Sequence, residues 1–131
     1  MDLIYDPIVR DFIPDPFKNK LALLGEGRHR RGYLSRNSKY VYKVPMMMDG
    51  LIDNHREAHV SRVSRKEDFY GGVQFARCRL GPRGILIMEY VKPADWGDDF
   101  NPLPAWVGRV DCCQVGHTAD GRLVAYDYGN F

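Results

Sequence analysis

The chain has 131 residues, 44% of them hydrophobic and 27% charged, with a formal net charge of +2. That balance excludes a disordered polyelectrolyte and a protein that holds nucleic acid by bulk charge alone, and the length suits one modest core. No run approaches the ~18 consecutive apolar residues of a membrane span, and the acidic start Met1-Asp2-Leu3-Ile4-Tyr5-Asp6 lacks the positive region of a signal peptide.

Residues 1–20 carry Pro7, Pro14 and Pro16 among apolar residues and read as a leader that starts a short helix or drapes over the domain. Residues 21–131 read as a single domain. Leu21–Leu24, Tyr33–Ser35 and Tyr40–Val44 form three strands joined by a glycine-bearing turn and by Arg36-Asn37-Ser38. Leu51 to Val63 follows Asp49-Gly50 and places apolar or small residues at Leu51, Ile52, Ala58, His59 and Val60, which predicts one helix.

Val73–Leu80 alternates with period two, and Gly81-Pro82-Arg83-Gly84 turns it back into Ile85–Val91. The second of these strands is apolar on successive residues, as expected of a strand buried on both faces. Residues 92–105 are rich in Pro, Asp and Gly, with Trp96 as an aromatic anchor, and read as a connecting loop. Gly108–Gly116 then leads through the turn Ala119-Asp120-Gly121-Arg122 into a last strand, Leu123–Asp127.

The three cysteines, Cys78, Cys112 and Cys113, are odd in number, and the adjacent pair cannot bridge to itself without straining the backbone. A reducing cytoplasm is the expected setting.

Taken in order, the chemistry-bearing features are a glycine-bearing first turn, a strand lysine, a helix glutamate, an apolar strand with an acidic end, and an Asp-aromatic-Gly. This order resembles a protein kinase, and the short loop resembles that of some bacteriophage serine/threonine kinases. The matching residues are Leu24-Gly25-Glu26-Gly27 for the phosphate-covering loop, Lys43 for the strand lysine, Glu57 for its helix partner, Met88-Glu89-Tyr90-Val91 for the hinge, and Asp127-Tyr128-Gly129 for the metal-binding motif.

The resemblance implies a kinase N-lobe-like α+β fold: an antiparallel sheet of about five strands with one packed helix, plus a small C-terminal hairpin. It also implies an ATP and Mg2+ site. Gly25 and Gly27 would let backbone approach the phosphates, Lys43 would meet them as a point charge held by Glu57, and the backbone at Glu89 and Val91 would meet the adenine edge. Asp127 would supply a hard oxygen to Mg2+. Gln114 lies thirteen residues before Asp127, where the family carries a second metal ligand, an asparagine.

Two departures stand out. Arg30 occupies the place of the usual third glycine, and Arg109 stands where the catalytic aspartate belongs. An arginine has no acceptor for a substrate proton, so Asp111, two residues on, is the remaining candidate base. With Phe131 so close behind Asp127, neither an activation segment nor a helical lobe is expected. The expectation is a degenerate kinase-like protein that modulates a host or partner protein, with a minimal active kinase as the alternative.

Each residue also has a plainer reading. Lys43 could guard an edge strand, Glu57 could be a surface helix residue, and Asp127 could end a strand in a turn. His55 and His59 share a helix face at metal-ligand spacing, but only Cys112, Cys113 or His117 could complete a zinc set. Arg28, Arg30 and Arg31, with Tyr33 and Tyr40 nearby, offer a basic surface for nucleic acid or an acidic protein.

Overall fold

The computed structural model describes residues 14–64, 73–93 and 115–127. Three strands come first: β1 (Ala22–Glu26), β2 (Arg30–Leu34) and β3 (Tyr40–Pro45). Helix α1 (Met48–Ser64) follows, then β4 (Gln74–Phe75), β5 (Cys78–Leu80), β6 (Leu86–Glu89), β7 (Lys92–Pro93), β8 (Val115–His117) and β9 (Leu123–Ala125).

The protein is α+β. A five-stranded antiparallel sheet runs β1-β2-β3-β6-β5, and a four-stranded sheet runs β4-β9-β8-β7 with β4 parallel to β9. The small hairpin expected at the C-terminal end, β8–β9, is therefore the centre of a second sheet. Helix α1 enters between β3 and β4 and carries basic Arg62 in its last turn and acidic Asp49 in its first, both favourable to the helix dipole.

The segment 73–80, expected as one strand, is two. Phe75 and Ala76 are both buried, so the in-out alternation slips there. At that point the chain changes sheets: Ala76 N donates to Ala125 O at 2.8 Å, while Arg77 O accepts from Glu89 N at 3.0 Å. Strand β6 also departs from expectation. Leu86 and Met88 are buried, whereas Ile87 and Glu89 are only half-buried, so one face is packed rather than both.

The larger core comprises Val73, Phe75, Cys78, Leu86, Met88 and Val91 with Val115, Val124 and Ala125, and so joins the two sheets. A smaller cluster of Tyr33, Val44 and Ile85 is covered by Phe17, Leu21 and Tyr42. Phe17 stacks on Tyr42 with ring centroids 4.9 Å apart. The described part of the leader thus drapes over the sheet, as one of its two readings held. It is pinned by Asp15, whose carboxylate accepts from Tyr33 Oη at 2.6 Å and from Arg31 Nη1 at 3.2 Å. Burial works against the Asp15 charge, but the Tyr33, Phe17 backbone and Arg31 donors outweigh it and hold the carboxyl below its usual range.

Helix α1 begins three residues before the expected Leu51 and is not amphipathic in the expected sense. Its fully buried residues are Gly50, Asn54, Glu57 and Ser61, a helical stripe at spacings of four, three and four. Ile52 and Val63, by contrast, are exposed. The helix docks through hydrogen bonds from that stripe. Asn54 Nδ2 donates to Lys43 O at 2.9 Å and to Gly84 O at 2.7 Å, and Ser61 Oγ accepts from Cys78 N at 3.0 Å.

Gly50 has a steric reason. A Cβ there would fall 2.3 Å from His29 O and 3.1 Å from Pro45 Cα, so the first helical turn lies directly against the β1–β2 turn. That close approach brings the start of β2 onto the helix. It is what positions the site.

Candidate functional site

Strand β3 alternates its side chains between the two sheet faces. Tyr42 and Val44 belong to the small aromatic cluster, and Lys43 points the other way, toward the helix. There its Nζ donates to Glu57 Oε1 at 2.6 Å and to Tyr126 O at 2.6 Å. Two of its three donors are therefore placed, one on the helix and one on the backbone just before Asp127.

Arg30 completes the cluster. It is the first residue of β2, paired with Pro45 at the end of β3, and its guanidinium reaches three oxygens. Nη2 donates to Asp127 Oδ1 at 2.9 Å, Nη1 donates to Asn54 Oδ1 at 3.0 Å, and Nη1 also forms an ion pair with Glu57 Oε2. The last contact is ionic and lies outside regular hydrogen-bond geometry. Burial alone would lower the Arg30 pKa; the charges of Glu57 and Asp127 outweigh it and raise it above its ordinary value.

Two cations, Arg30 and Lys43, thus meet two carboxylates, Glu57 and Asp127. The Glu57 side chain is 0% exposed, Arg30 11%, Lys43 12% and Asp127 25%. Such a cluster is a poor stabiliser, because the loss of hydration of each buried ion offsets most of the attraction and apolar side chains of the same volume would serve as well. Tyr126 lies beside it, its phenol pushed up first by burial and then by the Asp127 charge.

A second tie joins the β1–β2 turn to the helix: His29 Nδ1 lies 2.9 Å from Asp53 Oδ2, and its Nε2 lies 3.8 Å from Asp49 Oδ2. The glycines of the turn itself are not required by packing. A Cβ at Gly25 would meet nothing within 4 Å, and one at Gly27 only Arg30 O at 3.7 Å, an ordinary contact.

The fold brings together Lys43, Glu57 and Asp127 from the sequence-based set. Glu89 and Val91 belong to that set through their backbone alone, and their side chains are engaged elsewhere. Glu89 ends β6 with Oε1 2.5 Å from Arg122 Nη2 and Oε2 2.6 Å from Arg77 N, and Val91 packs into the larger core. Asp111, Gln114, Arg109, Cys112, Cys113 and the Tyr128-Gly129 half of the Asp-aromatic-Gly motif lie outside the described residues.

Sequence reasoning assigned Arg30 to a basic surface. The structure instead turns it inward, and turns Arg31 to Glu26 at 2.7 Å and to Asp15; of the three arginines named for nucleic acid, Arg28 is exposed. The arginine at the place of a third glycine marked the position but not the direction its side chain takes. Asn54 was missed outright. His55 and His59 are exposed on the outer side of α1 beside Met48, Leu51, Ile52, Arg56 and Val60. Among the described residues no group of three or more His, Cys, Asp or Glu side chains is disposed to hold a metal ion, and no helix is long and apolar enough to cross a membrane.

The fit of a metal-bound nucleotide is tested by the donor set. Lys43, fixed by Glu57, is placed as a phosphate-binding lysine would be. Asp127 meets the Arg30 guanidinium through Oδ1, and a Mg2+ ion would need a carboxylate oxygen open to it.

No protein-family model, no curated protein and no solved structure matches this chain.

Proposed function

We propose that this chain is a degenerate kinase-like module that acts by binding a partner protein in the bacterial cytoplasm and not by transferring phosphate. The single observation that carries the reading is the Arg30 guanidinium seated on both Glu57 and Asp127 while Lys43 is paired with Glu57. The lysine–glutamate pair is the arrangement an ATP-site half-fold would use to hold phosphates. The arginine neutralises the carboxylate that such a fold needs for its metal.

The five-stranded sheet with a helix inserted after its third strand supports the same reading, as does Arg109 at the place of the catalytic base. Retention of a buried charge cluster with little net stabilising value fits a scaffold inherited from a catalyst. The basic-loop reading is weakened, because Arg30 and Arg31 are spent on internal carboxylates.

A thermal-shift titration with ATP, with and without Mg2+, tests the reading. A ligand at 100 times its dissociation constant stabilises by ~2.7 kcal/mol, so binding is readily seen. The expected result is no Mg2+-dependent shift and no labelled phosphate on the protein or on casein. A Mg2+-dependent shift with transferred label, both lost in Lys43→Ala and Asp127→Ala, overturns it in favour of a minimal active kinase with Asp111 as base.

A further inference from the structure

The leader segment reaches the sheet through its side chains. Asp15 Oδ2 accepts from Tyr33 Oη and Arg31 Nη1, and Phe17 stacks on Tyr42 and meets Tyr33 edge-on with ring centroids 5.9 Å apart. Its backbone bonds close on the segment itself: Phe17 N donates to Asp15 Oδ1 at 3.0 Å, and Phe17 O accepts from Lys20 N and Leu21 N. Among the described residues, 15–20 exchange no backbone hydrogen bond with a strand. A segment folded on its own backbone and seated by one carboxylate and one ring is held as a short peptide ligand is held. Pro14 and Pro16 restrict the chain on either side of Asp15 and so reduce the entropy lost on docking.

The surface beneath is wider than the segment. Arg31, Tyr33, Tyr42 and Val44 share one face of the sheet, since Arg31 pairs with Val44 and Tyr33 with Tyr42. Leu23, paired with Tyr33, and Tyr40, two residues before Tyr42, fall on that same face, and both are exposed. Glu26 holds Arg31 Nε at 2.7 Å and leaves Nη1 to the Asp15 carboxylate. An apolar strap would cover Tyr33 and Tyr42 equally well, whereas a carboxylate taken out of water must find donors placed for it. We infer that the face of β1–β3 turned away from helix α1 is a docking surface for a partner segment that carries a carboxylate and, two residues on, an aromatic ring, and that Asp15-Pro16-Phe17 occupies it as a ligand in cis. The tether gives the cis segment a high effective concentration, and a partner displaces it by also covering Leu23 and Tyr40.

The test titrates a labelled peptide of residues 14–20 into the full chain and follows fluorescence anisotropy. Asp15→Ala with Phe17→Ala empties the surface, and the peptide should bind that double variant saturably and at least ~10-fold more tightly than it binds the unaltered chain. The same peptide with alanine at positions 15 and 17 should not bind. Adding Tyr33→Phe to the double variant should weaken binding roughly 10-fold, because a hydroxyl donor to a charged carboxylate is lost.

If the double variant is unfolded, the peptide must restore its circular dichroism. The inference is overturned if the peptide neither binds the double variant nor restores its fold, if it binds the unaltered chain equally well, or if the alanine peptide binds as tightly. It is also overturned if the unaltered chain is a dimer that the double variant dissolves, which would give the surface to a second copy. The surface lies on the sheet face opposite Lys43 and the inference goes beyond the proposed function. No arm uses nucleotide, so failure here leaves the nucleotide result as it stands, and phosphoryl transfer by the unaltered chain would refute the proposed function without touching peptide binding.

Discussion

Two arginine-centred ion networks sit in different parts of this molecule. Arg30 joins Glu57, whose side chain is 0% exposed, to Asp127 in the space between helix and sheets. Arg122 joins Glu89 to Asp120, whose side chain is 65% exposed, at the β8–β9 hairpin. The second staples a turn: Thr118 Oγ1 donates to Asp120 Oδ1, and Arg122 N donates back to Thr118 Oγ1 at 3.0 Å. The comparison teaches that equal numbers of ion pairs carry unequal stakes. Water can replace a lost partner at Asp120 but not at Glu57, so the buried network marks where the fold has kept charge at a cost.

The largest expected effect is at Glu57. Glu57→Ala leaves Lys43 and Arg30 without their shared countercharge, and removing one partner of a buried pair costs ~3–5 kcal/mol; urea unfolding should show an unfolding free energy lower by that amount. Arg122→Ala sharpens the contrast, since its Asp120 pair is exposed and worth ~1 kcal/mol or less, so its total loss should fall short of that at Glu57. If the two losses prove equal in the same assay, the distinction between the networks fails.

The smallest effect is a pH dependence in a third network, where Tyr33 meets Asp15. Burial, then the hydrogen bond and charge of Asp15, push the Tyr33 phenol up to about 12 from its ordinary 10.0. The folded state therefore holds this proton more tightly than the unfolded chain does. Its contribution is complete below pH 10 and is lost as pH rises from there toward about 12. Tyr33→Phe should flatten that part of the alkaline unfolding curve, and an unchanged slope would show that the phenol is not held this way.

Much of the five-stranded sheet was legible because its strands obey local rules. Tyr40–Pro45 is rich in Tyr and Val and ends where Pro45 removes a donor, and Gly81–Gly84 carries the positive φ values that turn β5 into β6, with Arg83 at 60° and Gly84 at 72°. The break at Ala76 was not legible. A two-residue strand paired with β9, some fifty positions away, is a tertiary choice that periodicity does not record.

Helix α1 was found, but the polar stripe through which it docks was not. Apolar patterning marks Leu51, Ile52, Ala58, His59 and Val60, of which Ala58 and Val60 pack against the larger core, whereas the fully buried Asn54, Glu57 and Ser61 each find a backbone or charged partner on the sheets. Lys43 and Glu57 were legible for opposite reasons: the lysine because an apolar strand is a poor place for it, the glutamate only through the resemblance. Arg30 was not, because a basic turn reads the same whether its charges face water or a buried carboxylate.

The contact between Arg30 and Asp127 is the claim on which the closed site depends. A double-mutant cycle of Arg30→Ala and Asp127→Ala, read by urea unfolding, measures it directly. The account predicts strong non-additivity, an interaction energy of ~1–3 kcal/mol, with the double variant losing less than the two single losses combined. Additive losses would contradict it, and Asp127 would then be a carboxylate that Arg30 does not hold.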